Sequence, residues 1–181
     1  MRLKNIPFAE YLLLPTEEAY IYTYSFRFGF TLQKPVDIFG FKDIQDFTFG
    51  QVKDVQAKFE QGIEIREIPE VLSILMNDPR HYYQRGVVEV FQQFAWLKSQ
   101  VEMISEAERQ RLVRQPTSRE LKAGLERFED YGVYPQFRAL ALAFGQTIDW
   151  VKDMPYKEAF LELCYQRDLS EYEIALSKIK E

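Results

Sequence analysis

Residues 79–104 read PRHYYQRGVVEVFQQFAWLKSQVEMI, and this stretch decides the fold class. Its main apolar positions are separated by steps of 4, 3, 4, 3, 4 and 3 residues: Tyr83, Val87, Val90, Phe94, Leu97, Val101 and Ile104. That spacing places them on one face of an α-helix. Asp78 as N-cap and Pro79 as the first helical residue mark its start. The stretch predicts a long amphipathic helix of roughly 40 Å, at about 1.5 Å per residue.

A second apolar row widens the buried face of this helix. Val88, Phe91 and Ala95 lie beside the first row. A face this broad is typical of a helix packed centrally in a bundle, and it is wider than the seam of a two-stranded coiled coil. We therefore predict a mainly α fold, a compact helical bundle built on the long amphipathic helix at about 79–104.

Helix start and stop signals continue along the chain from about Asp46. Thr48 can cap a helix that ends at Gly62, because Thr is a good N-cap and Gly adopts the left-handed conformation of a helix end. Ser105 with Glu108 has the pattern of a capping box and predicts a kink and restart after the long helix.

Two further capping patterns predict helix starts in the second half of the chain. Thr117 precedes Glu120, and Asp168 precedes Glu171, each by three residues. The apolar residues that follow at helical spacing are expected to face the core: Leu121, Leu125 and Phe128 after the first start, and Tyr172, Leu176 and Ile179 after the second. Short helices with brief loops are typical of a compact bundle.

The N-terminal segment has a different pattern. From Ala19 to Pro35 large apolar residues occupy every second position: Tyr20, Tyr22, Tyr24, Phe26, Phe28, Phe30 and Leu32. Because alternate side chains of a strand share one face, this period predicts an extended β segment at about 19–41. We accordingly predict an N-terminal aromatic arm, residues 1–45, and a helical bundle domain, residues 46–181.

The role of the alternating aromatics has more than one interpretation. A lone strand leaves its backbone groups unpaired, so a small hairpin or pairing with another chain is expected. On this view the candidate interface residues are Tyr20, Tyr22, Tyr24, Phe26, Phe28 and Phe30. Alternatively the face simply covers the bundle, or the segment is a helix from Glu17 to about Phe26, since Thr16-Glu17-Glu18 resembles a helix start.

Composition limits the classes of function. The net charge of −5 argues against a general nucleic-acid binder, because that affinity comes mainly from neutralising phosphates. Cys164 is the only cysteine, which excludes an intramolecular disulfide and predicts a reducing compartment. No run approaches the roughly 18 apolar residues of a membrane span, so we expect a soluble protein that does not bind membranes.

No motif for catalysis, cofactor binding or metal ligation is found, and we predict a protein that is not an enzyme and has no cofactor. His81 could serve as a base, but we interpret it as a surface residue of the first helical turn. Cys164 lies on an apolar row and is interpreted as a core thiol. An enzyme with an unrecognised site is left as an alternative.

One local segment is basic against the acidic average. It contains Arg109, Arg111, Arg114, Arg119 and Lys122. Its functional interpretation is contact with DNA, RNA or an acidic partner. The alternative that we favour is a helix–loop–helix whose charged side chains are simply exposed to solvent. A nucleic-acid partner is therefore possible but is not the main expectation.

Three segments carry a family resemblance: DFTFGQVKDVQ, LKAGLERFEDYGVYPQFRALALAFG and WVKDMPYKEAFLELCYQRDLSEYEIALSKI. They resemble small virion and assembly proteins of tailed bacteriophages, including structural proteins of crAss-like phages. The last segment is also similar to the C-terminal helices of tail assembly chaperones.

The resemblance implies a role without catalysis. The expected protein is a virion structural subunit of a ring, connector, neck or tail, assembled in the host bacterial cytoplasm. It would contact other phage structural proteins and form a homo-oligomer in a symmetric assembly. The alternative that it implies is a tail assembly chaperone that holds the length-measuring protein of the tail and is not retained in the virion.

Overall fold

The computed structural model describes residues 5–29, 43–76, 79–114 and 116–179, which are mainly α-helical. The α-helices within these residues are α1 (Phe8–Tyr11), α2 (Thr16–Gly29), α3 (Phe49–Gln61), α4 (Ile68–Met76), α5 (Pro79–Gln84), α6 (Val87–Leu112), α7 (Ser118–Lys122), α8 (Tyr134–Phe144), α9 (Ile148–Asp153) and α10 (Tyr156–Ile179). Short 3₁₀ helices cover Ile44–Asp46, Ile65–Glu67 and Leu125–Tyr131. The mainly α prediction is confirmed.

Contacts divide the chain into two compact units. Unit 1 comprises residues 1–44 and 54–103, and unit 2 comprises residues 45–53 and 104–181. The helices α3 and α6 therefore contribute residues to both units. The sequence-based boundary between a 1–45 arm and a 46–181 bundle stays a prediction.

The core of unit 1 forms around the N-terminal part of α6. Its buried apolar residues there are Val87, Val90, Phe91, Leu97 and Val101. The rings of Phe8 and Tyr11, from α1, meet the Phe91 ring edge-on at centroid distances of 5.9 and 5.3 Å. Such edge-to-face pairs stabilise a core beyond the burial of their area. The predicted amphipathic face is thus the packing face of α6.

The predicted long helix is interrupted at Gly86, so α5 and α6 are separate helices. Backbone groups of the N-terminal segment form hydrogen bonds to the backbone at this break between the helices. The Phe8 N–H donates to the Arg85 carbonyl at 2.7 Å, and the Val87 N–H donates to the Ile6 carbonyl at 2.7 Å. These bonds satisfy backbone groups that a helix end leaves unpaired. The prediction of one unbroken helix from residue 79 was wrong, because a segment distant in sequence supplies these partners.

Residues 19–29 of the predicted extended segment are helical, and that part of the prediction was wrong. The helix α2 begins at Thr16 with Glu17 and Glu18 in its first turn, where carboxylates favour a helix N-terminus. A helix satisfies most of its own backbone groups, whereas a lone strand cannot. The competing interpretation, a helix from Glu17, agrees with the structure. Residues 30–41 lie outside the described residues.

The start of α3 follows the sequence signals. The Gln51 N–H donates to Thr48 Oγ1 at 3.2 Å, and the Thr48 N–H donates to Gln51 Oε1 at 3.1 Å. This is a complete capping box. Gly62, with φ of 85°, follows the helix end as expected. The predicted helix with Thr48 as cap and Gly62 as stop is confirmed.

In unit 2, the beginnings of α3 and α10 are joined by backbone hydrogen bonds. The Phe49 N–H donates to the Met154 carbonyl at 2.8 Å, and the Tyr156 N–H donates to the Phe47 carbonyl at 2.9 Å. The helix α8 packs against α9 and α10. Buried side chains of this unit include Phe47, Phe49, Ile104, Phe137, Leu140, Val151, Met154 and Tyr156.

The helix α10 is continuous through Asp168, and α6 is continuous through Ser105. The predicted restarts at both positions were therefore wrong. Asp168 forms an ion pair with Arg111 at 3.3 Å instead of capping a helix. The residues predicted to point inward after Thr117 and Asp168 are exposed: Leu121, Leu125, Phe128, Tyr172, Leu176 and Ile179. Periodicity shows which side chains share a face, but not which face the fold covers.

We expect Gly86→Ala to destabilise unit 1 by about 1 kcal/mol, the typical cost of losing a helix cap. A Cβ atom at Gly86 would overlap the Asn5 carboxamide, whose Oδ1 accepts a hydrogen bond from the Val88 N–H at 3.3 Å. Thermal and urea unfolding of the full chain would measure the change. The control is the same substitution in an Asn5→Ala background, where the additional cost should vanish. An equal cost in both backgrounds would contradict the Asn5 explanation.

Candidate protein-binding surfaces

A largely buried polar cluster joins α3, α6 and α10 in unit 2. The Lys53 Nζ atom donates to Glu108 Oε1 and Oε2 at 2.8 and 2.7 Å, and the Tyr156 hydroxyl donates to Glu108 Oε1 at 2.7 Å. The Lys53 side chain is only 4% exposed and that of Glu108 is 14% exposed. An uncompensated charge at this depth would be costly, so each member of the pair requires the other.

Aromatic rings surround this cluster. Phe49 lies below the Lys53 ammonium, with 5.4 Å between Nζ and the ring centroid, which is a cation–π geometry. The Phe49 ring also stacks near Tyr156 at 6.1 Å. Burial, reinforced by the Glu108 carboxylate, raises the pKa of the Tyr156 hydroxyl above its usual value. Because its charged and hydroxyl groups are paired with one another, we interpret the cluster as structural.

The two residues considered for chemistry occupy ordinary structural positions. His81 Nε2 accepts a hydrogen bond from Arg85 Nε at 2.6 Å, and Arg85 also pairs with Glu89 at 2.7 Å. Cys164 is buried on α10. Across the described part of the chain, no three His, Cys, Asp or Glu side chains are grouped for metal binding. The prediction that the protein is not an enzyme stays a prediction.

The N-terminal candidate residues are divided between two faces of α2. Tyr20 and Tyr24 are both exposed, and their rings lie 5.9 Å apart. Tyr22 is half-buried and meets the Tyr11 ring edge-on at 5.8 Å. The helix thus separates residues that a strand would have placed together. The side chains of Phe26 and Phe28, and the whole of Phe30, lie outside the described part of the structure.

The basic segment is engaged with acidic side chains of its own unit. Arg109 Nε donates to Glu106 Oε2 at 3.0 Å, and Arg111 pairs with Asp168 at 3.3 Å. The hydrogen bond from Arg109 lowers the pKa of the Glu106 carboxyl. The remaining members, Arg114, Arg119 and Lys122, are exposed. At least two of the five cations are therefore paired with carboxylates of the same unit.

A row of exposed apolar side chains follows the 3₁₀ helix Leu125–Tyr131, and we call it the aromatic ladder. Its members are Leu125, Phe128, Tyr131 and Tyr134. Side chains three residues apart in a 3₁₀ helix eclipse one another, so Leu125, Phe128 and Tyr131 lie in line, and Tyr134 follows at the start of α8. The Phe128 and Tyr131 rings are 6.2 Å apart, and those of Tyr131 and Tyr134 are 6.5 Å apart. Phe128 is 61% exposed and Tyr131 is 58% exposed.

Two glycines delimit the 3₁₀ helix. Gly124 has φ of 85° and Gly132 has φ of 50°, and non-glycine residues rarely adopt either value. Seven residues is long for a 3₁₀ helix, because its hydrogen-bond geometry is poorer than that of an α-helix. The ladder has a signal in the sequence, a strict spacing of three residues from Leu125 to Tyr134, with the first three members between two glycines. Sequence reasoning missed it by assigning an α-helix.

Other exposed apolar side chains lie on α8 and α9 in the same unit. Phe144 and Trp150 are both exposed, and their ring centroids are 5.6 Å apart. Leu142 is also exposed on α8. Gly145, with φ of 62°, ends α8 and Thr147 caps α9 by accepting from the Trp150 N–H at 3.2 Å. These helix ends hold the Phe144 and Trp150 rings side by side.

A second apolar row runs along α10, and we call it the α10 row. Its members are Leu161, Tyr165, Leu169, Tyr172, Leu176 and Ile179, and all six are exposed. Leu161 is 70% exposed and Ile179 is 79% exposed. The inward face of the same helix carries the buried residues Tyr156, Ala159 and Cys164. The first turns of the helix thus have one apolar face toward their unit and another toward solvent, whereas all residues from Asp168 to Ile179 are exposed.

No described helix has the length and apolar character needed to cross a membrane. Comparison of the chain with protein-family models, curated proteins and solved structures gives no match.

The same substitution, Tyr→Phe, should have opposite effects at two buried sites. We expect Tyr156→Phe to lower the free energy of unfolding by about 1.5–3 kcal/mol, because it removes a hydrogen bond to a charged group. Tyr82 is buried, and its hydroxyl has no hydrogen-bond partner among the described residues. Tyr82→Phe should therefore be neutral or stabilising. Urea unfolding of both variants tests the contrast, and equal losses would contradict it.

Alkaline pH should destabilise the fold. Burial raises the pKa of both Tyr82 and Tyr156 above the usual value of about 10. The unfolded chain then releases these protons at lower pH than the folded chain. The contribution of the two protonated tyrosines to the free energy of unfolding is therefore fully present below about pH 10 and is lost as the pH rises above it. Melting temperatures between pH 8 and 11.5 would measure the loss, which should be smaller in the Tyr82→Phe/Tyr156→Phe double variant.

Proposed function

We propose that this chain is a non-enzymatic structural subunit that acts through protein–protein contacts in a tailed-phage virion, as part of a ring, connector, neck or tail. The observation that carries the proposal is the aromatic ladder. Large apolar side chains rarely gather on the surface of a monomeric protein without a function. Aromatic residues are also enriched at protein interfaces, where they contribute most of the binding energy.

The ladder has the features of a binding hot spot. Neighbouring rings of the ladder lie 6.2 and 6.5 Å apart and form one continuous apolar surface. Exposed acidic residues surround it, namely Glu126, Glu129 and Asp130. An apolar centre with a polar rim is the usual anatomy of an interface. These features support contact with other copies of the chain or with other phage structural proteins.

The location in a phage particle is supported by the resemblance of the three segments described above. The alternative is an assembly chaperone that is absent from the finished virion. The α10 row favours this alternative, because a long apolar helix face is suited to holding a helical client. The two roles differ in whether the chain stays in the particle.

We expect the double substitution Phe128→Ser/Tyr131→Ser to reduce incorporation into purified phage particles at least about tenfold, because two anchor residues are lost. The melting temperature of the isolated chain should change little, since both side chains are largely exposed. Quantitative mass spectrometry of particles would measure the copy number. Met103→Ser, at another exposed apolar residue, is the matched control and should incorporate normally.

Two results would count against the structural role. If the ladder variant incorporates as well as the unmodified chain, the ladder is not the contact surface. If the unmodified chain is present during assembly but absent from finished particles, the chaperone alternative replaces the virion subunit.

A further inference from the structure

We propose that the α10 row is the docking site for a basic amphipathic helix of a partner protein. This inference rests on the proposed function as a protein-binding subunit, and it specifies the partner's chemistry at a surface separate from the aromatic ladder. It depends on the geometry of the row and on the charges beside it.

The row is straight and long. Its six residues are spaced by 4, 4, 3, 4 and 3, which is 18 residues over five intervals. The mean of 3.6 residues equals one turn of an undistorted α-helix. The row therefore runs parallel to the helix axis, without the drift that a heptad spacing of 3.5 would cause. It extends about 27 Å, at 1.5 Å per residue.

Acidic side chains border the row. At 100° per residue, Glu162 and Glu173 fall along one edge, Asp168 falls along the other, and Glu158 lies beside the first turn of the row. Lys157 is the one cation among the residues from 157 to 179 that falls near the row on the same projection. Arg111 of α6 pairs with Asp168 at 3.3 Å and offsets its charge. Four carboxylates against Lys157 and Arg111 give the border a net charge of about −2 at neutral pH.

The partner that complements this surface is a helix with an apolar face flanked by Lys or Arg. An amphipathic helix presents apolar residues at the same spacing as the row, so two such faces can pack along their length. Cations beside its apolar face would meet Glu162 and Glu173 on one edge, while Asp168 on the other edge is already paired with Arg111. Such complementary charges increase association rates and fix the orientation of binding.

A second copy of α10 would be a poor occupant. Packing two α10 rows together would bring the acidic borders of both copies into one interface. Like charges placed opposite each other oppose association. The charge pattern thus distinguishes a basic helix of another protein from self-association through α10.

The direct test uses a designed peptide as the probe. A fluorescein-labelled 20-residue peptide would carry Leu at helical spacing on one face and Lys beside that face. Fluorescence anisotropy with the full chain should show saturable binding that weakens as the salt concentration rises. Two control peptides are needed: one with Glu in place of Lys, and one with the same composition but with Leu and Lys reordered so that no apolar face forms. Both should bind at least about tenfold more weakly, a difference of roughly 1.4 kcal/mol.

Matched variants of the chain locate the site. Tyr165→Ser/Tyr172→Ser should weaken binding of the basic peptide at least about tenfold. Glu162→Gln/Glu173→Gln should weaken it about three- to tenfold at low salt and less at high salt. Ile174→Ser is the control, because Ile174 is an exposed apolar residue of α10 outside the row. It should bind as the unmodified chain does, and circular dichroism would check that every variant remains helical.

Several outcomes would overturn the inference. Equal binding of the acidic or reordered peptide, or no effect of the Tyr165→Ser/Tyr172→Ser change, would show that the row does not select a basic helix. A dimer in analytical ultracentrifugation that is lost in this variant would show that a second copy occupies the row. No binding of the basic peptide would also overturn the inference. None of these results bears on particle incorporation through the aromatic ladder, which tests the proposed function separately.

Discussion

The largely buried Glu108 carboxylate imposes the central constraint on unit 2. It accepts hydrogen bonds from Lys53 and Tyr156, which come from α3 and α10. Its charge is stable at that depth only while these partners remain in place. The requirement aligns the end of α6 with the beginnings of both other helices, because all three side chains must converge within hydrogen-bond distance. The helix α8 packs against α10 in the same unit.

The position of Tyr156 beside Glu108 also determines which face of α10 is exposed to solvent. The face of α10 with Tyr156 and Cys164 is turned inward, so the opposite face carries its apolar residues in solvent. Near Leu125–Tyr131 the tight 3₁₀ turn aligns another set of apolar side chains outward. Exposed apolar area has no stabilising role in the isolated chain, and its concentration in rows is the reason for proposing these rows as binding surfaces. The surface of this unit is thus the natural focus for binding experiments.

Local signals in the sequence were only partly dependable. The Thr48 cap requires only Gln51, three residues later, and it was predictable. The equally local patterns at Ser105 and Asp168 did not form caps, because α6 and α10 continue through them. The interruption at Gly86 was not predictable, because its backbone partners come from Ile6 and Phe8. The alternating aromatics near Tyr22 led to the wrong prediction of a strand for a related reason. A period of two favours a strand only where a neighbouring strand can form hydrogen bonds with its backbone groups.

The sequence by itself determined the helical class, the amphipathic character of α6, the cap of α3 and the absence of disulfides, since these follow from composition and from residues close together in the chain. Only the tertiary structure decided which apolar faces are buried. Tyr172 and Leu176 have the same spacing as core residues, yet they face solvent. The physical reason is that periodicity defines a face, whereas burial depends on whether another element of the fold, or another molecule, packs against it.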